Sequence, residues 1–438
     1  MAQAPRPHKL AREGGRERRE DSREPRAARR ERGDARRARA DNEEGALPPA
    51  RRPARAAAVS RLSRLYNKRH QKERRPDKPL KEGDALQMKT KMRKFLLPAA
   101  AAFALAFAAQ SQAQEARSFP APTTVSEQMA ATVTAPPSQV WLKAPADAKE
   151  WSELQKRNAE GGAKLALGLA QRTGVKIEEG KIAGVTVRTL TPPAIDEDKK
   201  DKIIYAIHGG GYVLGGGAGG VTEGLLMAHF GHYKVIAVDY RLAPEHPYPA
   251  AIEDAFAVYK ELVKQYGAEN IAVLGTSTGG AMTLILALQA IQSGTPLPAA
   301  LMSGTPWTEI GKVGDSYFTN DGVDNVLVTY DGLIDASAKA YANGADYKDP
   351  LVSPMYAKDE DLAKFPPTLL FSGTRDLFLS NTARMHERLL LNDAEAELIV
   401  YEAMSHAQYY LNFEAPETAT HYELLCQFLD KNLLKAKK

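Results

Sequence analysis

Ile271-Ala272-Val273-Leu274-Gly275-Thr276-Ser277-Thr278-Gly279-Gly280-Ala281-Met282-Thr283-Leu284 is the stretch whose reading decides the fold. A short apolar run suited to a buried strand passes through a glycine-flanked Ser277 into an apolar run of helical character. Strand, tight turn and helix are the context in which a serine stands exposed at the end of a strand, its small neighbours allowing a turn that side chains would block. Alone, the same residues could be an ordinary Gly/Ser turn, so the meaning of Ser277 rests on its surroundings.

Outward from this turn, apolar runs at 203–207, 234–238, 299–302, 368–371 and 397–401 alternate with helical stretches at 250–266, 280–292, 382–391 and 422–434. Strands that are apolar throughout, separated by helices, predict an α/β fold with a mostly parallel sheet covered on both faces. The β-branched runs 175–177 and 185–187 suggest a hairpin ahead of it, and residues 126–173 read as helical. The long irregular segment 307–364 between two strands is expected to add to a lid.

A serine hydroxyl needs a base, and a base needs an orienting acid. Asp376 follows the run 368–371 and His406 follows 397–401, so both fall at carboxyl ends of strands, where open parallel sheets place their sites. The order Ser277, Asp376, His406 is the one this architecture requires. Asp361 and Glu402 are further acids, but neither follows a strand at the right position. Upstream, the run 203–207 ends in His208-Gly209-Gly210-Gly211-Tyr212, whose backbone can approach a ligand and aim amides at a developing oxyanion, each such donor worth ~3 kcal/mol. A phosphate-cradling loop is disfavoured, because the Lys-Ser/Thr ending and the acidic ribose partner are missing.

The 438 residues suffice for a large core. The formal charge of +5 conceals an asymmetry, since residues 1–91 hold 28 Lys/Arg against 14 Asp/Glu and the remainder 31 against 40. An acidic remainder argues against nucleic acid as a partner of the part that carries the motifs. Residues 1–91 lack apolar periodicity and read as a disordered basic segment, with the true start expected at Met88 or Met92. Residues 92–113 have the basic, apolar and small-residue regions of a secretory signal peptide, with cleavage near Ala113 and export to the periplasm or beyond. About 15 mostly alanine residues are too few for a stable membrane anchor, which needs roughly 20. With Cys426 as the single cysteine, no intrachain disulfide can form, and a small core residue is the expected role.

From about Val175 onward these blocks resemble the hormone-sensitive-lipase-like branch of bacterial esterases, the family IV lipolytic enzymes. The likeness rests on His208-Gly209-Gly210-Gly211, on the run from Asp239-Tyr240-Arg241-Leu242-Ala243-Pro244-Glu245-His246 to Ala250, on the serine turn, on Asp349-Pro350-Leu351-Val352-Ser353-Pro354, and on the Asp376 and His406 contexts. The resemblance implies an α/β-hydrolase fold over 126–438, with a helical cap from about 126–173 and part of 307–364. It further implies oxyanion donors at the amides of Gly210, Gly211 and Thr278, and hydrolysis of esters of short to medium acyl chain without cofactor or metal. Many family members carry Asp before the nucleophile and Ala after it, where this chain has Thr276 and Thr278, while a minor branch carries Thr before the serine; Pro more often stands where this chain has Ser405. These departures bear on substrate preference rather than on the activity class. A lactone hydrolase with the same triad is the alternative, and a homodimer is left open. A non-catalytic receptor on the same scaffold is disfavoured by the retention of His406 with Ser277 and Asp376. Tyr212, Trp307 and Tyr409 are candidates to line the pocket, with core packing equally expected.

Overall fold

The computed structural model describes residues 119–434, so the expectations for residues 1–91, for the leader at 92–113 and for cleavage at Ala113 fall outside the described residues. Eight strands build one sheet in the order β1-β2-β4-β3-β5-β6-β7-β8. They are β1 (Lys176–Ile182), β2 (Val185–Thr191), β3 (Ile203–Ile207), β4 (Lys234–Asp239), β5 (Ile271–Thr276), β6 (Ala300–Gly304), β7 (Thr368–Gly373) and β8 (Ala396–Tyr401). The expected hairpin is β1–β2; it is antiparallel, as is β2 on β4, and every other pairing is parallel.

β3, β5, β6 and β7 are buried at every position, which is why their sequences are apolar without alternation. Their side chains still alternate between two cores: Ile203, Tyr205 and Ile207 of β3 join one cluster, Ile204 and Ala206 the other. The longer helices cover these faces. They are α1 (Glu127–Val133), α2 (Ala148–Thr173), α3 (Thr222–Gly231), α4 (Ala250–Tyr266), α5 (Thr278–Ser293), α6 (Leu333–Ala342), α7 (Leu379–Leu391) and α8 (Pro416–Asn432). α4, α5 and α7 supply the first cluster, for example Phe256, Ile285 and Met385; α3 and α8 supply the second through Leu225, Leu226, Tyr422 and Leu425. α2 begins at a cap in which the Asp147 side chain accepts from the Glu150 amide, and ends at left-handed Gly174. Among the described residues no helix is long and apolar enough to cross a membrane.

The junction of β5 and α5 is tightly packed. β5 lies between β3 and β6, with Gly275 in register with Ile207 and Thr276 with Gly304. A Cβ on Gly279 would stand 2.0 Å from the Ile207 carbonyl oxygen, so no other residue fits between α5 and β3. The turn is held by the Ser277 amide donating to the Gly304 carbonyl (2.8 Å) and the Ala281 amide donating to the Ser277 carbonyl (3.0 Å).

The segment between β6 and β7 contains α6 and is anchored by Asp324, which is fully buried. Its carboxylate accepts from the amides of Val326 (2.8 Å) and Leu327 (2.9 Å) within the segment, and from Leu377 (2.8 Å) and His406 (3.3 Å) outside it. One side chain thus joins the insertion to the loops after β7 and β8. Two outcomes are expected. Gly279→Ala should destabilise the fold by about 3 kcal/mol or prevent folding, read by thermal or urea unfolding; native-like stability would refute the close approach. Asp324→Ala should cost about 3 kcal/mol by stripping several buried amides of their acceptor, and an unchanged urea midpoint would refute the anchor.

Candidate active site

The carboxyl ends of β3 and β5 and the loop after β8 meet at a cavity of about 1050 Å³. Ser277, His406, His208, Gly209 and Gly210 line it, together with Glu223. Residues of the 138–165 region, among them Trp141 and Leu154, form another part of the wall, and Val326 and Leu327 come from the insertion. Gly211 and Thr278 adjoin lining residues in the chain, while Asp376 lies behind His406 at zero exposure.

Ser277 has φ 66° and ψ −124°, a backbone conformation that costs a non-glycine residue of order 1–3 kcal/mol and clusters at functional sites. It precedes the N-terminus of the 16-residue α5, whose first amides, Thr278 among them, have no acceptor within the helix and favour negative charge. Opposite stands the glycine loop. Gly210 and Gly211 have φ values of 117° and 67°, which only glycine adopts at little cost. The Gly210 carbonyl accepts from the amides of Val213 and Leu214, and among the described residues the amides of Gly210 and Gly211 themselves donate to no acceptor. His208 stacks on Tyr240 with ring centroids 4.0 Å apart, and the Tyr240 hydroxyl donates to the His208 carbonyl (2.8 Å). Burial pushes the His208 imidazole below its ordinary pKa, against the Gly209 carbonyl and the Asp239 charge, and its Nε2 has no partner. The 239–250 block is scaffolding: Asp239 accepts from Arg188 (2.8 Å) and from the Gly217 amide (2.9 Å), and Arg241 pairs with Asp254.

His406 Nδ1 lies 3.1 Å from Asp376 Oδ1. An ionised carboxylate can only accept, so the imidazole carries its proton on Nδ1 and leaves Nε2 available to accept. Asp376 Oδ1 also accepts from the Phe378 amide (2.8 Å), and Oδ2 from the hydroxyls of Ser372 (2.7 Å) and Thr305. Burial alone would push the Asp376 pKa up; the His406 charge and these hydrogen bonds outweigh it and hold the carboxyl below its usual value. The Phe378 ring packs edge-on against His406 at 4.9 Å. Ser405 donates its amide to Gln408 (2.8 Å) and accepts from the Asn325 amide (3.2 Å), and a proline there would lose both. Among the described residues Ser277 Oγ has no hydrogen-bond partner, so its link to His406 is the shared cavity wall.

The structure separates the other candidates from this site. Asp361 pairs with Lys364, and Glu402 accepts from Thr124 at the surface. Tyr212, Trp307 and Tyr409 are core residues at 1% exposure or less. Cys426 is partly buried in α8, and burial pushes its thiol up to about 11, far from thiolate chemistry. Thr305, Ser372, Asp324 and Glu223 are neighbours that the sequence did not single out. Among the described residues no cluster of potential metal ligands occurs.

A family model described as alpha/beta hydrolase fold matches residues 204–410. An esterase of Acinetobacter venetianus is 31% identical over 239 residues, covering 53% of this chain and 75% of that protein. An acetyl-hydrolase of Streptomyces hygroscopicus is 29% identical over 247 residues, 56% of this chain and 81% of that one. Among solved structures, esterase E25 is similar with a TM-score of 0.69 and 40% identity, over 74% of this chain and 99% of its own. An esterase from the bacterial hormone-sensitive lipase family is similar with a TM-score of 0.55 and 26% identity, over 66% and 100%. These relatives are named for ester hydrolysis and do not favour the lactone reading. With sheet, turn and relatives in agreement, the chain belongs to the hormone-sensitive-lipase-like, family IV esterases of the α/β-hydrolase fold and is a carboxylic ester hydrolase.

Proposed function

We propose that this esterase works by a Ser277–His406–Asp376 acyl-enzyme mechanism on esters of short to medium acyl chain. The observation that supports it is the buried Asp376–His406 pair, whose imidazole shares a cavity wall with a serine on a left-handed turn. Ser277 Oγ attacks the ester carbonyl while His406 Nε2 takes its proton. The oxyanion forms against the amides of Gly210, Gly211 and Thr278, and its collapse expels the alcohol, which receives the proton back from His406. Water activated by the same imidazole then hydrolyses the acyl-enzyme. Asp376 keeps the imidazole in the useful tautomer and stabilises its cation. A cavity of about 1050 Å³ has room for such an acyl group and its alcohol, and the naming of a relative as an acetyl-hydrolase agrees with a short one. Export after removal of a leader at 92–113 is part of the same proposal, motivated by the sequence of that segment. Exported protein whose N-terminus lies well before Gln114 would count against it.

With nitrophenyl esters of rising acyl length, Ser277→Ala should lower kcat by about 10⁵-fold or more and Asp376→Asn by about 10⁴-fold, both variants remaining folded by circular dichroism. Turnover by folded Ser277→Ala within tenfold of the parent would refute the assignment. The longest chain accepted reads the acyl limit.

A further inference from the structure

Beneath the nucleophile runs a chain of polar groups that the mechanism does not use. The Thr276 hydroxyl, in a residue 1% exposed, donates to Glu223 Oε1 at 2.6 Å and lies 2.9 Å from the Tyr409 hydroxyl. A hydroxyl has one proton, so Tyr409 donates to Thr276 and Thr276 to Glu223. Glu223 sits in the first turn of α3, is 7% exposed and lines the same cavity as Ser277 and His406. Among the described residues its carboxyl makes no ion pair. The groups packed around it are hydroxyls: Thr276 from β5, Tyr409 and Tyr410 from the 408–411 turn, and Tyr422 from α8, which donates to the Glu223 carbonyl (3.2 Å). His421, behind Tyr409 at 4.6 Å between rings, offers no cation, since burial pushes its pKa down to about 3.

A carboxyl buried without a cation is expensive to keep. Here its one side-chain hydrogen bond goes to the residue before the nucleophile. We propose that Glu223 is a positioning residue for Ser277, fixing through Thr276 the last turn of β5 from which the nucleophile projects. The proposal rests on Ser277 being the nucleophile. It also gives Thr276 a physical account: its hydroxyl ties the residue before the nucleophile to a carboxyl on α3, one hydrogen bond away. Burial pushes Glu223 up to about 7, the Thr276 hydrogen bond opposing. An acid raised on folding contributes stability that is full below the unfolded pKa, 4.5, and is lost as the pH climbs to about 7.

The test is steady-state kinetics on nitrophenyl butyrate, with melting temperatures from pH 4.5 to 8.5, for the parent, Glu223→Ala, Glu223→Gln, Thr276→Val, the Glu223→Ala/Thr276→Val double variant and Ser277→Ala. Misplacing a reacting group by about 1 Å costs on the order of 100-fold, so Glu223→Ala should lose about 10- to 100-fold in kcat with KM changed less than about threefold. Glu223→Gln, which keeps the acceptor, should recover to within about threefold, and the double variant should be no slower than the slower single one. The melting temperature of the parent should fall relative to Glu223→Gln as the pH rises from 4.5 to 7. A folded Glu223→Ala with parental kcat overturns the proposal, as does a Gln variant as slow as Ala, or single deficits that multiply in the double variant. Should Glu223→Ala not fold, Thr276→Val at parental kcat overturns it equally. An active Ser277→Ala would instead defeat the nucleophile assignment, which separates the two failures.

Discussion

The close approach of α5 to β3 is the constraint on which the site depends. With Gly279 touching the Ile207 carbonyl oxygen, the chain leaves β5 with no room to turn gradually. It reverses at one residue, Ser277, whose positive φ sets the hydroxyl at the end of the sheet and the amides of α5 beside it. The same contact brings the end of β3 alongside, so the glycine loop that begins at His208 starts next to the serine. A strained serine and, beside it, the first amides of α5 therefore follow from a single packing relation between one helix and one strand. The strain at Ser277, of order 1–3 kcal/mol, is borne by a sheet whose central strands are buried at every position.

On the other side of the cavity, the problem is to keep a carboxylate charged at zero exposure. Asp376 meets it with donors from four places: His406, the Phe378 amide, and the hydroxyls of Ser372 and Thr305. All four come from strand ends or the loops after them, so the sheet itself sets the imidazole. Asp324 is likewise ringed by donors, here backbone amides, but burial and the neighbouring Asp376 charge push its carboxyl up to about 6; because it reaches from the insertion to Leu377 and His406, the insertion and the two loops share one anchor.

Much of this was legible in the sequence because it depends on local pattern. The buried strands announced themselves as unbroken apolar runs, and Ser277, Asp376 and His406 each followed one in the required order. The hairpin at β1–β2 and helix α4 came out as read. What was missed is long-range or has no period. Helix α3 carries no polar face, since Leu225, Leu226, Met227 and Ala228 are all buried in succession, so nothing marked it as amphipathic. Glu223 at its start carries no local signal either, and only the fold puts it 2.6 Å from Thr276 across 53 residues. Asp324, Thr305 and Ser372 likewise sit in contexts with no local signal. Tyr212, Trp307 and Tyr409 show the reverse: aromatic residues near the motifs that proved to be core.

The most direct test of the central claim, that Ser277 attacks the substrate, is covalent capture. The protein is treated with a fluorophosphonate and digested, and the adduct is located by mass spectrometry. One phosphonyl group per chain on the peptide bearing Ser277, formed in step with loss of esterase activity and far more slowly in His406→Ala, is the result predicted. Complete inactivation with Ser277 unmodified, or with the adduct on another residue, would contradict it.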